Sequence, residues 1–152
     1  MYIIKAETII TGDLDSLWNT EIDVNNWSTW NPHEEEARLD GALVTGAIGW
    51  SKPRKGPGTA WSVTSVVEKS LWASDCELPG GKLAGENTFK QLEDGRIHCT
   101  KTITVTGPLV PLFRFYFGRH IRHDMFVAWV ALEGEAARRA AISSLQPGQS
   151  IA

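Results

Sequence analysis

A single long helical pattern, confined to the last third, limits the folds open to this 152-residue chain. A threonine-rich strand ends at Gly107, and a proline-bracketed link follows from Pro108 to Pro111. From there to Ala141 the chain has no proline and only two glycines, Gly118 and Gly134. Everything upstream reads as short strands and turns. A sheet with one apolar face must bury it, and only this helix is long enough to cover it. Steps of about 100° per residue from a start near Leu112 gather Phe117, Ile121, Met125, Ala128, Leu132 and Ala136 into one stripe, flanked by Trp129. Phe126 and Val130 fall on the opposite face. The expectation is an α+β helix-grip arrangement. A curved antiparallel sheet of six to seven strands, with two short helices, carries the long C-terminal helix across its concave face. One domain is expected over 1–145, with 146–152 as a disordered tail.

The strands are read from period-two alternation. Tyr2 to Ile10 sets Ile4, Ala6, Thr8 and Ile10 on one face. Asp13 is placed to cap a short helix carrying Leu14, Leu17 and Trp18. A second helical piece, Val24 to Trp30, holds Trp27 and Trp30 three apart before Pro32 stops it. Glu34, Glu35 and Glu36 read as the solvated edge of a strand from His33 to Leu39. Ala47 to Lys52 puts Ile48 and Trp50 on one face, and Pro53 to Gly58 is a basic loop. Thr59 to Glu68 aligns Trp61, Val63, Ser65 and Val67, and Leu71 to Leu78 aligns Trp72, Ser74, Cys76 and Leu78. Leu83 to Leu92 carries Asn87 and Phe89, and Glu93-Asp94-Gly95 turns the chain. In Arg96 to Thr106, Ile97, Cys99, Lys101, Ile103 and Val105 face the core, which makes Lys101 the polar exception.

Composition narrows the function classes. A net charge of -3 disfavours nucleic acid, which demands a basic face. No apolar run approaches about 18 residues, and the N-terminus lacks the pattern of a secretory signal, so the expectation is a cytoplasmic protein without a membrane span. Cys76 and Cys99 sit inside strands as free thiols, the usage of a reducing compartment. Seven tryptophans exceed what a core of this size needs, and the surplus can line a cavity.

The run Asp23-Val-Asn-Asn-Trp27-Ser-Thr-Trp30-Asn-Pro32, the acidic strand after it, Gly41 and Gly46, and Gly107 before the long helix resemble the polyketide cyclase/dehydrase-like branch of the START and pollen-allergen-like helix-grip superfamily, SRPBCC. The resemblance covers nearly the whole chain. It implies a hydrophobic cavity between sheet and helix that binds lipids, sterols, polyketides or hormones, in some members with cyclisation or dehydration. It implies no shared catalytic motif, and a structural role for Trp27 and Trp30.

The candidate ligand-binding residues are Trp50, Trp61, Trp72, Ser74, Asn87, Phe89, Lys101, Met125 and Trp129. An inward lysine loses hydration, which frees an amine for base or Schiff-base work, so Lys101, with Asp75 or Asp124, is the catalytic candidate set. The bland alternative is a lysine paired with Asp75 or Glu77 at the cavity mouth. His120, His123 and Asp124 are too thin a set for a metal, and no metal or cofactor is expected. Nucleophile-elbow, phosphate-loop and Cys-x-x-Cys signals are absent from the sequence. Phe113, Phe115, Tyr116 and Phe117, interleaved with Arg114 and Arg119, favour burial in the fold or a homodimer contact over membrane contact. Three readings follow: a binder of an apolar small molecule, a cyclase, aromatase or dehydratase acting in the same cavity, and a homodimeric interaction module without ligand.

Overall fold

The computed structural model describes residues 1–151, with side chains through Leu145. The tail expected at 146–152 falls outside the fully described residues. Seven strands form one antiparallel sheet in the order β1-β7-β6-β5-β4-β3-β2. They are β1 (Tyr2–Ile10), β2 (Glu34–Leu39), β3 (Ile48–Pro53), β4 (Thr59–Val67), β5 (Leu71–Leu78), β6 (Gly81–Gln91) and β7 (Ile97–Thr106). Between β1 and β2 run α1 (Leu14–Ile22), a 3-10 turn (Val24–Asn26) and α2 (Trp27–Trp30). After β7 come α3 (Val110–Leu112), a π-helical turn (Phe113–Phe117) and α4 (Gly118–Ile151). The architecture is the α+β helix-grip arrangement expected from the sequence.

Local chemistry sets these boundaries. The Asp13 carboxylate accepts from the Ser16 backbone N–H at 2.9 Å, satisfying a donor left free at the start of α1. Gly107 ends β7 at φ +96, where a Cβ would lie 2.6 Å from the Gly80 carbonyl oxygen, so only glycine turns the chain there toward the helix.

Two bulges break the alternation on which the sequence reading relied. In β2, Glu34 pairs with Pro53 and Glu36 with Lys52, leaving Glu35 as the extra residue. Ala37 and Leu39 face inward, so strict alternation would send Glu35 in. The bulge sends Glu34 in instead, and the solvated-edge reading holds only for Glu35 and Glu36. In β4 the register slips between Val63 and Ser65. Val66 therefore packs against the core and Val67 is exposed, reversing the expected inward Ser65 and Val67.

The solid part of the core lies where α1 and α4 meet β1 and β7. Ile4, Leu17, Ile97 and Leu132 are almost fully buried there, each contributing roughly 1.5–3 kcal/mol. Polar clamps hold the same end. Glu133 accepts from the Thr11 backbone N–H at 2.6 Å, Ser16 Oγ donates to the Ala136 carbonyl at 2.7 Å, and Arg139 pairs with Asp23 at 3.0 Å. The inner stripe of α4 is as expected, with Met125, Leu132 and Ala136 buried and Phe126 and Val130 on the exposed face. The aromatic run before α4 differs from expectation: Phe115 and Tyr116 are 75% and 66% exposed rather than buried in the fold. None of the described helices is long and apolar enough to cross a membrane.

Candidate functional site

Fastened at its C-terminal half, α4 leaves its N-terminal half bridging an unfilled space. A cavity of about 1150 Å³ lies between that half and β2 to β7. Helix residues from Phe117 to Leu132 form its roof, β5 to β7 its floor, and Trp27, Trp30 and the start of β2 one side wall. The basic loop Pro53 to Pro57 and the aromatic turn around Phe113 also border it.

The side wall is built on tryptophans. The rings of Trp27, Trp61 and Trp72 lie 5.9 Å apart in every pairing, with Trp27 and Trp61 nearly parallel. At that spacing they pack on one another and leave no room for a guest between them. Gly49 permits this. A Cβ there would sit 2.5 Å from Trp61 Cη2, so a larger residue would drive the ring off the strand. Three indole N–H groups have partners: Trp27 donates to the Glu21 carbonyl at 2.8 Å, Trp61 to Ser51 Oγ at 3.2 Å and Trp72 to Glu21 Oε1 at 3.1 Å. Trp30 Nε1 is buried with no partner.

Acidic groups reach the same space from two elements. Glu21 projects from the last turn of α1 and borders the cavity. Burial raises its carboxyl above the ordinary range, against the opposing pull of Lys101 and the Trp72 hydrogen bond. Glu34, turned inward by the β2 bulge, is raised by burial too, again opposed by Lys101. Lys101 stands on β7 opposite Asn87 of β6 and Ala6 of β1, on the cavity floor. His33 Nε2 lies 3.4 Å from Asp124 Oδ1 without hydrogen-bond geometry, and His33 Nε2 and Glu34 Oε2 are buried without partners. Cys76 lines the cavity, whereas Cys99 is buried in the core. Burial raises both thiols, Cys99 to about 12, so both remain neutral.

Of the residues singled out from sequence, Trp61, Trp72, Ser74, Asn87, Lys101, Met125, Asp124 and Trp129 border the cavity. Trp50 does not. Gly49 and Ser51 take the inward positions of β3, and Trp50 lies on the outer face beneath the Arg38 guanidinium, 4.3 Å from its ring centre. Phe89 is core, packed edge-on against Trp18 with centroids 6.1 Å apart. Asp75 borders the cavity, but its carboxylate pairs with Lys82 at 3.3 Å, as Glu77 does more loosely at 4.0 Å. Neither acid is the partner of Lys101, whose charge acts instead on the Glu21 and Glu34 carboxyls. Sequence reasoning missed Glu21, Trp27, Trp30, His33 and Glu34 as wall residues. For Trp27, Trp30, His33 and Glu34 the available signal is their crowding around the tryptophan pair, which the sequence reading assigns to packing alone.

No protein-family model matches the sequence, and no curated protein matches it. Solved structures do match. A hypothetical protein from Helicobacter pylori superposes with a TM-score of 0.76 at 11% identity, over 89% of this chain and 88% of the other. A START superfamily protein from Mycobacterium smegmatis gives 0.71 at 10% identity, over 91% and 99%. The Zhui aromatase/cyclase from Streptomyces sp. R1128 gives 0.72 at 14% identity, over 91% and 95%. The chain therefore has the START-type helix-grip fold. Aromatase/cyclases are among the proteins that share it.

Proposed function

We propose that the protein binds an apolar small molecule of aromatic character in the cavity between the sheet and α4. The observation that carries this is the cavity itself: about 1150 Å³, walled by the tryptophan cluster and roofed by the apolar stripe of α4. Pockets for drug-sized ligands run to roughly 300–1,000 Å³, and combine apolar walls with a few polar groups that fix orientation. Lys101, Asn87, Ser74, Glu21 and Glu34 are those groups here. Titration with 8-anilinonaphthalene sulfonate, alongside native mass spectrometry of the purified chain, tests the reading. Saturable binding of one probe per chain is expected. Fluorescence that rises without saturating, with no bound mass, would remove the proposal.

A second reading is favoured by one arrangement, the two raised carboxyls facing a lysine in the same hollow. An acid whose proton leaves closer to neutrality and a nearby amine can share acid and base work on an enolisable ketone. That is chemistry of the cyclase or dehydratase kind, with Lys101 and Glu21 rather than Asp75 in the leading roles. Asp124, beside His33 at the cavity wall, stands as a secondary candidate. Exchange of the α-protons of β-tetralone in D₂O, followed by proton NMR, should be accelerated by the wild type and not by Glu21→Gln or Lys101→Ala. Equal acceleration by all three would refute these roles.

A further inference from the structure

We propose that Trp30, His33 and Glu34 form a polar subsite that takes a neutral hydroxyl group, phenolic or alcoholic, of the bound molecule. The Trp30 indole N–H donates to the hydroxyl oxygen, and Glu34 accepts a hydrogen bond from the hydroxyl. The inference rests on the cavity being a ligand site and adds the chemistry of the ligand's polar end.

Three buried side-chain polar atoms lack a partner among the described residues: Trp30 Nε1, His33 Nε2 and Glu34 Oε2. All three belong to one five-residue stretch, and all three residues line the same cavity. A buried group left unpaired costs the full loss of its hydration, so three together mark a place where something else completes the bonding. The neighbouring indoles of Trp27, Trp61 and Trp72 already have acceptors, which leaves Trp30 as the free donor on this wall.

The three atoms differ in character, and that selects the ligand group. Trp30 Nε1 only donates, whereas a carboxylate oxygen of Glu34 accepts. A carboxylate ligand would satisfy Trp30 but set like charge against Glu34. An ammonium would suit Glu34, leave Trp30 unpaired, and enter a cavity that already holds Lys101. A hydroxyl both donates and accepts, so it serves the two atoms at once. His33, 3.4 Å from Asp124, offers a second contact whose donor or acceptor sense its tautomer can fit.

The test compares two probes of nearly equal size, α-naphthol and α-methoxynaphthalene, by calorimetry on the full chain. The naphthol should bind at least about tenfold more tightly, because the ether cannot donate to Glu34 and leaves it unpaired. Glu34→Leu should cut that preference to about threefold or less, and Trp30→Phe should weaken both probes by about three- to tenfold, because either oxygen accepts the indole N–H. If Glu34→Leu shows no cooperative melt, Glu34→Gln decides in its place, because its amide also donates to the ether oxygen and so cuts the preference. Equal affinity of the wild type for both probes would mean that trapped water completes these atoms; it would overturn the subsite and leave the cavity reading intact. Binding of neither probe would overturn both. A preference that survives in the folded Glu34 variant would remove Glu34 from the assignment, and probe affinities unmoved by Trp30→Phe would remove Trp30.

Discussion

Replacing Gly49 by alanine tests whether the tryptophan wall is as rigidly seated as its geometry implies. The added Cβ would stand 2.5 Å from Trp61 Cη2 and 2.7 Å from Cε2, where ordinary contact begins at 3.4 Å, so ring and strand must part by about 1 Å. The ring has little freedom to yield. Trp27 lies nearly parallel to it at 5.9 Å, Trp72 abuts it at 5.9 Å, and its N–H is held by Ser51 at 3.2 Å. Overpacking of this kind costs about 1–3 kcal/mol, and stretching the Ser51 bond adds about 1 kcal/mol. The smaller conformational freedom of alanine in the unfolded chain returns about 0.4–1 kcal/mol. The net loss is then about 1–3 kcal/mol, or a fall in Tm of about 3–10 °C for a domain of this size. Urea and thermal unfolding measure it, with Gly85→Ala as the control. Gly85 lies on the same sheet, and a Cβ there meets nothing within 4 Å. Gly49→Ala should lower the midpoint and Gly85→Ala should not. Equal stability of Gly49→Ala and wild type, or equal loss in both variants, would refute the rigid-wall argument.

Two further predictions concern pH. The folded-state pKa of Glu21 is raised, so the native state holds a proton that the unfolded chain releases near pH ~4.3; stability therefore declines as pH rises from there through the folded pKa. Glu21→Gln should flatten this slope in urea midpoints measured between about pH 4 and 8, and an unchanged slope would show that Glu21 ionises freely. Glu135 behaves oppositely: hydrogen bonds from Arg138 and Arg139 hold its carboxyl down at about 2. Its contribution is complete above the unfolded pKa and is lost as pH falls toward 2. Glu135→Gln should cost about 1–3 kcal/mol at pH 7 and nothing near pH 2; a cost independent of pH would assign the loss to packing instead.

Much of the architecture was legible before any coordinates, because it depends on short-range periodicity. The threes and fours of α4 placed Met125, Leu132 and Ala136 inward, and the twos of β7 placed Ile97, Cys99, Lys101 and Val105 there. A long amphipathic helix after a one-faced sheet has few other ways to bury itself, so the grip arrangement followed. What escaped was each point where the period is interrupted or where a partner lies far along the chain. A one-residue bulge turned Glu34 in and Glu35 out, another exchanged Val66 for Ser65, and the inward positions of β3 belonged to Gly49 and Ser51 rather than Trp50. Glu21 gave no signal, because its helix was too short to show which face would meet Trp72, 51 residues away.

By itself, then, the sequence determined the element order, the helix stripe and the inward lysine, since each follows from neighbours within a few positions. Only the tertiary structure decided which acids stand with that lysine and which polar atoms are left without partners. Those facts depend on strand register and on where α1 and α2 meet the sheet, and a shift of one residue in either reverses the side chain's direction.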